Sequence, residues 1–398
     1  MSSSHPGPSH PRVASTGTSR SAPSPAPTAG PAVGPRSSPG GVPAVVPRGG
    51  PAVGARGPVV AATASPRVGI IGATGAVGAE LLLCLEQRAF PLSGLRLFAS
   101  SRSAGRRLRF HDDSIAVEEL TDAALDGIDI ALFSAGAATS RRFAPVAVRL
   151  GAVVVDNSSA FRMEPDVPLV VPEVNEAAIA GHGGIIAVPN CVAIVAVVAL
   201  WPLHQHCPIR RVIAATYQAA SGAGAAAMAE LRDSTAAWLE GTDFPPRVLA
   251  HPYAFNLFSH DTTVDPATGY NVEETKVMQE LRKIMRLPEL RIGVTCIRVP
   301  VLRAHSIALA VEFAEPVAPE VVREVLGAAP GVRIVDDVTH NHFPMPREAS
   351  GQDDVLVGRI RRDVSDPSGC SVALFVAGDQ LRKGAALNAV QIAERLVG

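Results

Sequence analysis

One thiol stands where the chain can make it a nucleophile. Ile185 to Val188 reads as a short strand, Pro189 and Asn190 turn the chain, and Cys191 opens an apolar helical run from Val192 to Leu203. A cysteine at a helix N-terminus meets unpaired amides and the positive end of the helix dipole, both of which favour thiolate over thiol. The alternative is a small buried hydrophobe, the reading given to Cys84 inside LLLCLE and to Cys207, Cys296 and Cys370. Five cysteines without a Cys-x-x-Cys spacing point to reduced thiols rather than disulfides or a zinc site. A candidate proton carrier, His305, follows Arg298 by seven residues, just before the apolar run Ile307 to Phe313.

A second chemistry is carried by RVGIIGATGAVGAELLLCLEQRAF, which begins at Arg67. Val68 to Ile71 reads as a strand, Gly72-x-x-Gly75-x-x-Gly78 as a tight turn, and Val77, Leu81, Cys84 and Leu85 as one face of a helix. Glycines there let the backbone approach a pyrophosphate, and the helix N-terminus offers it amide donors. The candidate loop is therefore Gly72, Ala73, Thr74, Gly75, Ala76, Val77 and Gly78. The next strand, Leu95 to Ser100, runs into Ser100, Ser101 and Arg102 where an acid would take the ribose hydroxyls of NAD. Hydroxyls and a guanidinium suit a 2′-phosphate, which favours NADP; the alternative is a solvated loop. A thiolate beside a nicotinamide site implies an aldehyde or acyl oxidoreductase working through a thioester.

These groups need a scaffold. Further apolar runs at Ile130 to Phe133, Ala152 to Val155, Leu169 to Val171 and Ile185 to Val188 read as strands of a parallel sheet covered on both faces. Ser134, Ala135 and Gly136 follow one of them and Asp156-Asn157-Ser158-Ser159 another, at carboxyl ends where ligands of such sheets gather. After Cys191 the pattern becomes strand-rich, with Val212 to Gln218, Arg291 to Val299 and Ile307 to Phe313, and the chain ends in a helical segment with Leu387, Val390, Ile392 and Leu396 on its buried face. The fold class is α/β: a Rossmann-type dinucleotide-binding domain over 67–190, to which the C-terminal helix 381–398 returns, and an α+β domain over 191–380.

Residues 1–66 contain 14 Pro, 10 Gly and five Arg but no Asp, Glu, Lys, Leu, Ile or Phe, so they read as a disordered arm. The remainder holds 31 basic against 37 acidic residues, which argues against nucleic acid as a partner. No apolar run is long enough to span a membrane, and the arm holds no apolar h-region, so secretion is not expected. Only three lysines occur beside 33 arginines: Lys276, Lys283 and Lys383. Lys276 sits at helical spacing from Glu273, Glu280 and Lys283, which would also suit a solvated helix face, and Lys383 reads as a neighbour of the last helix's start.

The order of motifs GATGAVG, SAG (134–136), DNSSAFRM (156–163), VVPEVN (170–175), PNC (189–191), TYQ with SGAG (216–224), EETK (273–276), CIRVP with AHS (296–306), VGRIRRD (357–363) and RKGAALNAVQIAE (382–394) resembles the aspartate-β-semialdehyde dehydrogenase family from about Arg67 to the C-terminus. The resemblance implies NADP(H)-dependent, reversible reductive dephosphorylation of L-aspartyl-4-phosphate in a cytoplasmic homodimer or dimer of dimers, with 191–380 as the catalytic and dimerisation domain. It makes Cys191 the nucleophile, Gln218 the residue orienting the reacting groups, and His305 the acid/base that shuttles a proton. Arg298 would bind the substrate α-carboxylate and Glu273 its ammonium, while Arg162 and Lys276 hold phosphate, with Asn190 and Ser221 also at the substrate. Ser158, Gly222 and Asn388 join the cofactor contacts. Related possibilities are an N-acyl-γ-glutamyl-phosphate reductase, a malonyl-CoA reductase, or a silent nucleotide-binding paralogue. Departures from the family pattern are Val192, Ala193, Ala304 and Gly378-Asp379-Gln380.

Overall fold

The computed structural model describes residues 64–397, so the arm expected over 1–66 falls almost wholly outside the described residues. The first sheet is built from β1 (Arg67–Ile71), β2 (Gly94–Ala99), β3 (Arg107–Phe110), β4 (Asp113–Glu119), β5 (Ile130–Phe133), β6 (Val153–Asp156) and β7 (Ile185–Ala187), in the order β3-β4-β2-β1-β5-β6-β7. Only β3, at one edge, is antiparallel to its neighbour. Helices α1 (Ala76–Gln87), α2 (Ala137–Arg149) and the short α3 (Pro172–Asn175) connect these strands. The strand order reverses between β1 and β5, so the crevice beyond their carboxyl ends holds both the glycine turn and Ser134.

The strand expected at Leu169 to Val171 is reduced to a single bridge between Leu169 and Ala187. The reason is local. Asn175 takes the Val171 N–H on its Oδ1 and donates its Nδ2 to the Leu169 carbonyl, so a side chain replaces the ladder.

The second half contains α4 (Cys191–His206), β8 (Ile209–Gln218), α5 (Ala225–Leu239), β9 (Phe258–Ser259), α6 (Val272–Met285), β10 (Arg291–Arg298) and β11 (His305–Phe313). It continues through α7 (Pro319–Gly327), β12 (Val332–Ile334), α8 (Pro346–Ala349), β13 (Val355–Arg362), β14 (Ser371–Gly378) and α9 (Leu387–Glu394). Its mixed sheet runs β12-β13-β14-β11-β8-β10-β9. Every residue of α4 from Val192 to Leu200 is buried, and one apolar core continues from the first sheet through this helix into the second. A helix apolar all round must be enclosed on all sides, and strands of the second sheet together with α3, α6 and α7 pack around α4. The closing segment is not one regular helix: a wider π turn over Arg382–Ala386 precedes α9, which packs against α1. Among the described residues no helix is long and apolar enough to cross a membrane.

Candidate active site

Asn190 caps α4 with its own side chain, Oδ1 accepting from Val192 N at 2.8 Å and Ala193 N at 3.4 Å. Two of the amides expected to face a Cys191 thiolate are thereby taken. Asn190 Nδ2 donates to Glu273 Oε1 at 2.8 Å, and Gln218 Nε2 reaches the same oxygen at 3.4 Å, leaving Oε2 without a partner among the described residues. Glu273 lies in the first turn of α6, fixed by a capping box between Asn271 and Glu274. Cys191 is half-buried, yet closely enough enclosed that desolvation, then the Glu273 charge, push its thiol up to about 12 against the pull of Arg162, Arg298 and the Val192 amide. Burial and the Glu273 charge thus act on this thiol against the helix-end effect expected of it.

Strand register assembles the rest. Arg298 ends β10 opposite Gln218, which ends β8, and β11 begins with His305 at the same end of the sheet. All three side chains are buried. The Ala219 N–H donates to His305 Nδ1 at 3.0 Å, so in the neutral ring the proton resides on Nε2. Burial, followed by the charges of Arg298 and His260, lowers the imidazole to about 3, so it stands neutral at pH 7. A Cβ on Gly222 would fall 2.9 Å from His305 Cε1 and 3.3 Å from Arg298 Nη1, which places that turn against both side chains. Arg298 Nε also meets Asp261 Oδ1 at 3.4 Å. His260 and Asp261 were not foreseen: their segment carries no motif, and only the fold brings it to Arg298.

Arg162 is buried and committed, with Nε on Val188 O, Nη2 on Asn157 O and Nη1 on Glu280 Oε1 at 3.2 Å. Glu280 also accepts the Asn190 N–H and is itself buried. The α6 face carrying Glu273 and Glu280 therefore turns inward. Lys283 on the same helix donates to the carbonyls of Arg162, Glu164 and Val167, pinning the loop that carries Arg162. Lys276 is half-buried and has no hydrogen-bond or ion-pair partner among the described residues. Ser221 is buried, its Oγ accepting from Gln380 Nε2.

The glycine turn has the shape of a phosphate cradle. Gly72 adopts φ +90°, and a Cβ on Gly78 would overlap the Gly72 carbonyl, so α1 packs directly on the turn. No side chain caps α1, which leaves its first amides available. Thr74, Ala76 and Val77 are half-buried and Gly75 exposed, with Ala73 in the core. Gly136 (φ +87°) and the half-buried Ser134 and Ala135 lie at the facing start of α2. Ser100, Ser101 and Arg102 are exposed on a one-turn helix beyond β2. Asn157 Oδ1, at the end of β6, is a buried acceptor with no donor among the described residues. These residues fit a dinucleotide. Two others offer less: Ser158 Oγ is spent on Asp156 at 2.7 Å, and fully buried Asn388 bonds Val170 O and Lys383. Lys383 is no mere neighbour of a helix start. It is buried, paired with Glu173 and bonded to Gln391.

Residues 67–182 match the family model for the NAD binding domain of semialdehyde dehydrogenases, and residues 200–383 the model for their dimerisation domain. The chain is 54% identical over 331 residues to aspartate-semialdehyde dehydrogenase of Synechocystis sp., covering 83% of this chain and 97% of that protein. It is 48% identical over 336 residues to the Aquifex aeolicus enzyme of the same name, with 83% and 98% covered. Among solved structures, aspartate semialdehyde dehydrogenase II of Vibrio cholerae, complexed with ASA, superposes with a TM-score of 0.81 at 42% identity over 84% of this chain and 98% of that one. Matched by both domain models and by relatives this similar over most of its length, the chain belongs to the aspartate-semialdehyde dehydrogenase family.

Proposed function

We propose that the chain catalyses NADPH-dependent, reversible reduction of L-aspartyl-4-phosphate to L-aspartate-4-semialdehyde and phosphate through a thioester on Cys191. The observation that carries this reading is the single cluster in which Glu273 touches both Asn190 and Gln218, while Arg298 and His305 share the surface of Gly222. The site offers one partner for each substrate charge: Arg298 for the α-carboxylate, the free Oε2 of Glu273 for the ammonium, and Lys276 with the remaining N–H groups of Arg162 for phosphate.

Cys191 Sγ bonds to the acyl carbon as the carbon–oxygen bond to phosphate breaks, and the thiol proton leaves with the phosphate. When bound, the dinucleotide supplies a hydride to that carbon. The substrate oxygen, negative in each tetrahedral state, is held by the Nε2–H of His305. As the carbonyl reforms, the carbon–sulfur bond breaks and Cys191 leaves as thiolate, which takes up one proton from solvent to restore the thiol. His305 enters this scheme as a donor, because its Nδ1 is occupied by the Ala219 amide. Gln218 orients the reacting group, and Ser100 to Arg102 take the 2′-phosphate. We place the domain boundary at Asn190/Cys191 and read the assembly as a cytoplasmic homodimer or dimer of dimers.

Initial rates with aspartate semialdehyde, an N-acyl-glutamate semialdehyde and malonyl-CoA, each with NADP(H) and NAD(H), test the reading. The expected result is phosphate-dependent turnover of aspartate semialdehyde with NADP, with kcat/KM at least about a hundredfold above the N-acyl substrate, which has no cation for Glu273. Preference for the N-acyl substrate or for malonyl-CoA would replace this substrate assignment, and equal use of NAD would overturn the role of Ser100 to Arg102.

A further inference from the structure

We propose that the segment His260–Asp261–Thr262 sets the site's selectivity for a substrate bearing both an ammonium and a carboxylate on one carbon: Asp261 positions the Arg298 guanidinium, and Thr262 positions Glu273. The inference rests on the reading above in which Arg298 takes the substrate α-carboxylate and Glu273 its ammonium.

The segment runs from the end of β10, which carries Arg298, to the start of α6, which carries Glu273. On the first side β9 pairs antiparallel with β10, Phe258 opposite Arg298 and Ser259 opposite Ile297, and the His260 N–H donates to the Cys296 carbonyl at 2.9 Å. On the other side the Val272 N–H, in the first turn of α6, donates to the Thr263 carbonyl at 2.9 Å, and Val264 bridges to Asn271, the cap of that helix. Backbone bonds at both ends leave the three residues between them little freedom. Their side chains then reach the two charged residues directly.

Asp261 Oδ1 lies 3.4 Å from Arg298 Nε, and among the described residues it is the only hydrogen-bond or ion-pair partner of that buried guanidinium. A guanidinium held on its Nε edge presents its two Nη groups, which a carboxylate can take together. Thr262 Oγ1 accepts from the Glu273 N–H at 3.2 Å, an amide that the Asn271 cap, bonded to Glu274 N, leaves open. The same hydroxyl lies 3.3 Å from His260 Nδ1. Burial, then the Arg298 charge, holds the His260 imidazole below its usual range, so at pH 7 the ring is neutral and Nδ1 accepts the Thr262 proton. Three consecutive residues therefore join Arg298 to Glu273 and set the spacing between the cation and the anion that read two substituents of one substrate carbon.

Steady-state kinetics and thermal melts of Asp261→Ala, Asp261→Asn, Thr262→Val and Thr262→Ser, alone and combined with Arg298→Lys or Glu273→Gln, test the proposal. Asp261→Ala should raise KM for aspartate semialdehyde about tenfold, with kcat within about threefold and KM for phosphate and NADP within about twofold, the pattern of weakened ground-state binding. Asparagine keeps an acceptor for the Arg298 Nε–H and should hold KM within about threefold of wild type. Thr262→Val keeps the shape and removes the hydroxyl, so it should raise the same KM about tenfold, and serine should restore it. In the Arg298→Lys background Asp261→Ala should cost less than about twofold, as should Thr262→Val in the Glu273→Gln background, because each positioning residue acts through its partner. Should Asp261→Ala not fold, Asp261→Ser, too short to reach Nε, is expected to raise KM about tenfold. Unchanged KM in either Asp261→Ala or Thr262→Val, equal losses in the single and double variants, or a parallel rise in KM for NADP and phosphate with a lowered Tm overturns the positioning role. Full affinity of Arg298→Lys and Glu273→Gln for aspartate semialdehyde would instead remove the reading on which it rests.

Discussion

Cys191 has a reactivity set by its neighbours' charges. Its thiol is pushed up to about 12, first by burial and then by Glu273, the largest charge acting against ionisation. An ammonium ion seated on Glu273 would cancel that charge, so the substrate's own amine favours the thiolate that attacks it. Alkylation of Cys191 by iodoacetamide, followed by peptide mass across a pH series, checks this. Glu273→Gln should lower the apparent pKa of alkylation while raising KM for aspartate semialdehyde at least about tenfold, and an unchanged or higher pKa would contradict it. Cys191, Gln218, Glu273, Arg298 and His305 were legible as types and motifs in sequence. What Asn190 does with the α4 amides was not, because a cap residue's partner is decided by rotamer and packing. Nor was the commitment of Arg162 to Glu280, which joins segments distant in the chain.

The glycine turn between β1 and α1 is an element whose sequence and geometry agree. Only glycine suits position 78, where a Cβ would meet the carbonyl of Gly72 and the backbone of Ala73, neither of which can yield. Gly78→Ala is expected to shift the turn at a cost of about 1–3 kcal/mol and to weaken dinucleotide binding at least about tenfold. Fluorescence titration with NADPH and a thermal melt measure both, and unaltered affinity would mean that the turn does not hold the pyrophosphate. Elements governed by side-chain substitution for backbone bonds were less legible. The apolar run at Leu169 lost its ladder to Asn175, and the final segment, helical by pattern, opens with a π turn that brings Gly384 against Cys191. Lys383 sits inside that turn, buried against Glu173, a pairing that periodicity does not encode.

For the whole molecule, the change from parallel-sheet runs to strand-rich sequence after Cys191 made the two-sheet plan readable. The mixed sheet's order was not, since β8 lies between β10 and β11 through pairings set by long-range packing. That order matters chemically, because it sets Gln218, Arg298 and His305 side by side at one end of the sheet. Helix α4, buried from Val192 to Leu200, then presents Cys191 at its N-terminus to that cluster. The central claim is that the assembled site works through a covalent bond to this one sulfur. Its most direct test is phosphate-dependent NADP reduction with aspartate semialdehyde, comparing wild type with a folded Cys191→Ala variant. The account predicts turnover by wild type only when phosphate is present, and a loss of about a thousandfold or more in the variant. Equal rates for the two proteins would contradict it.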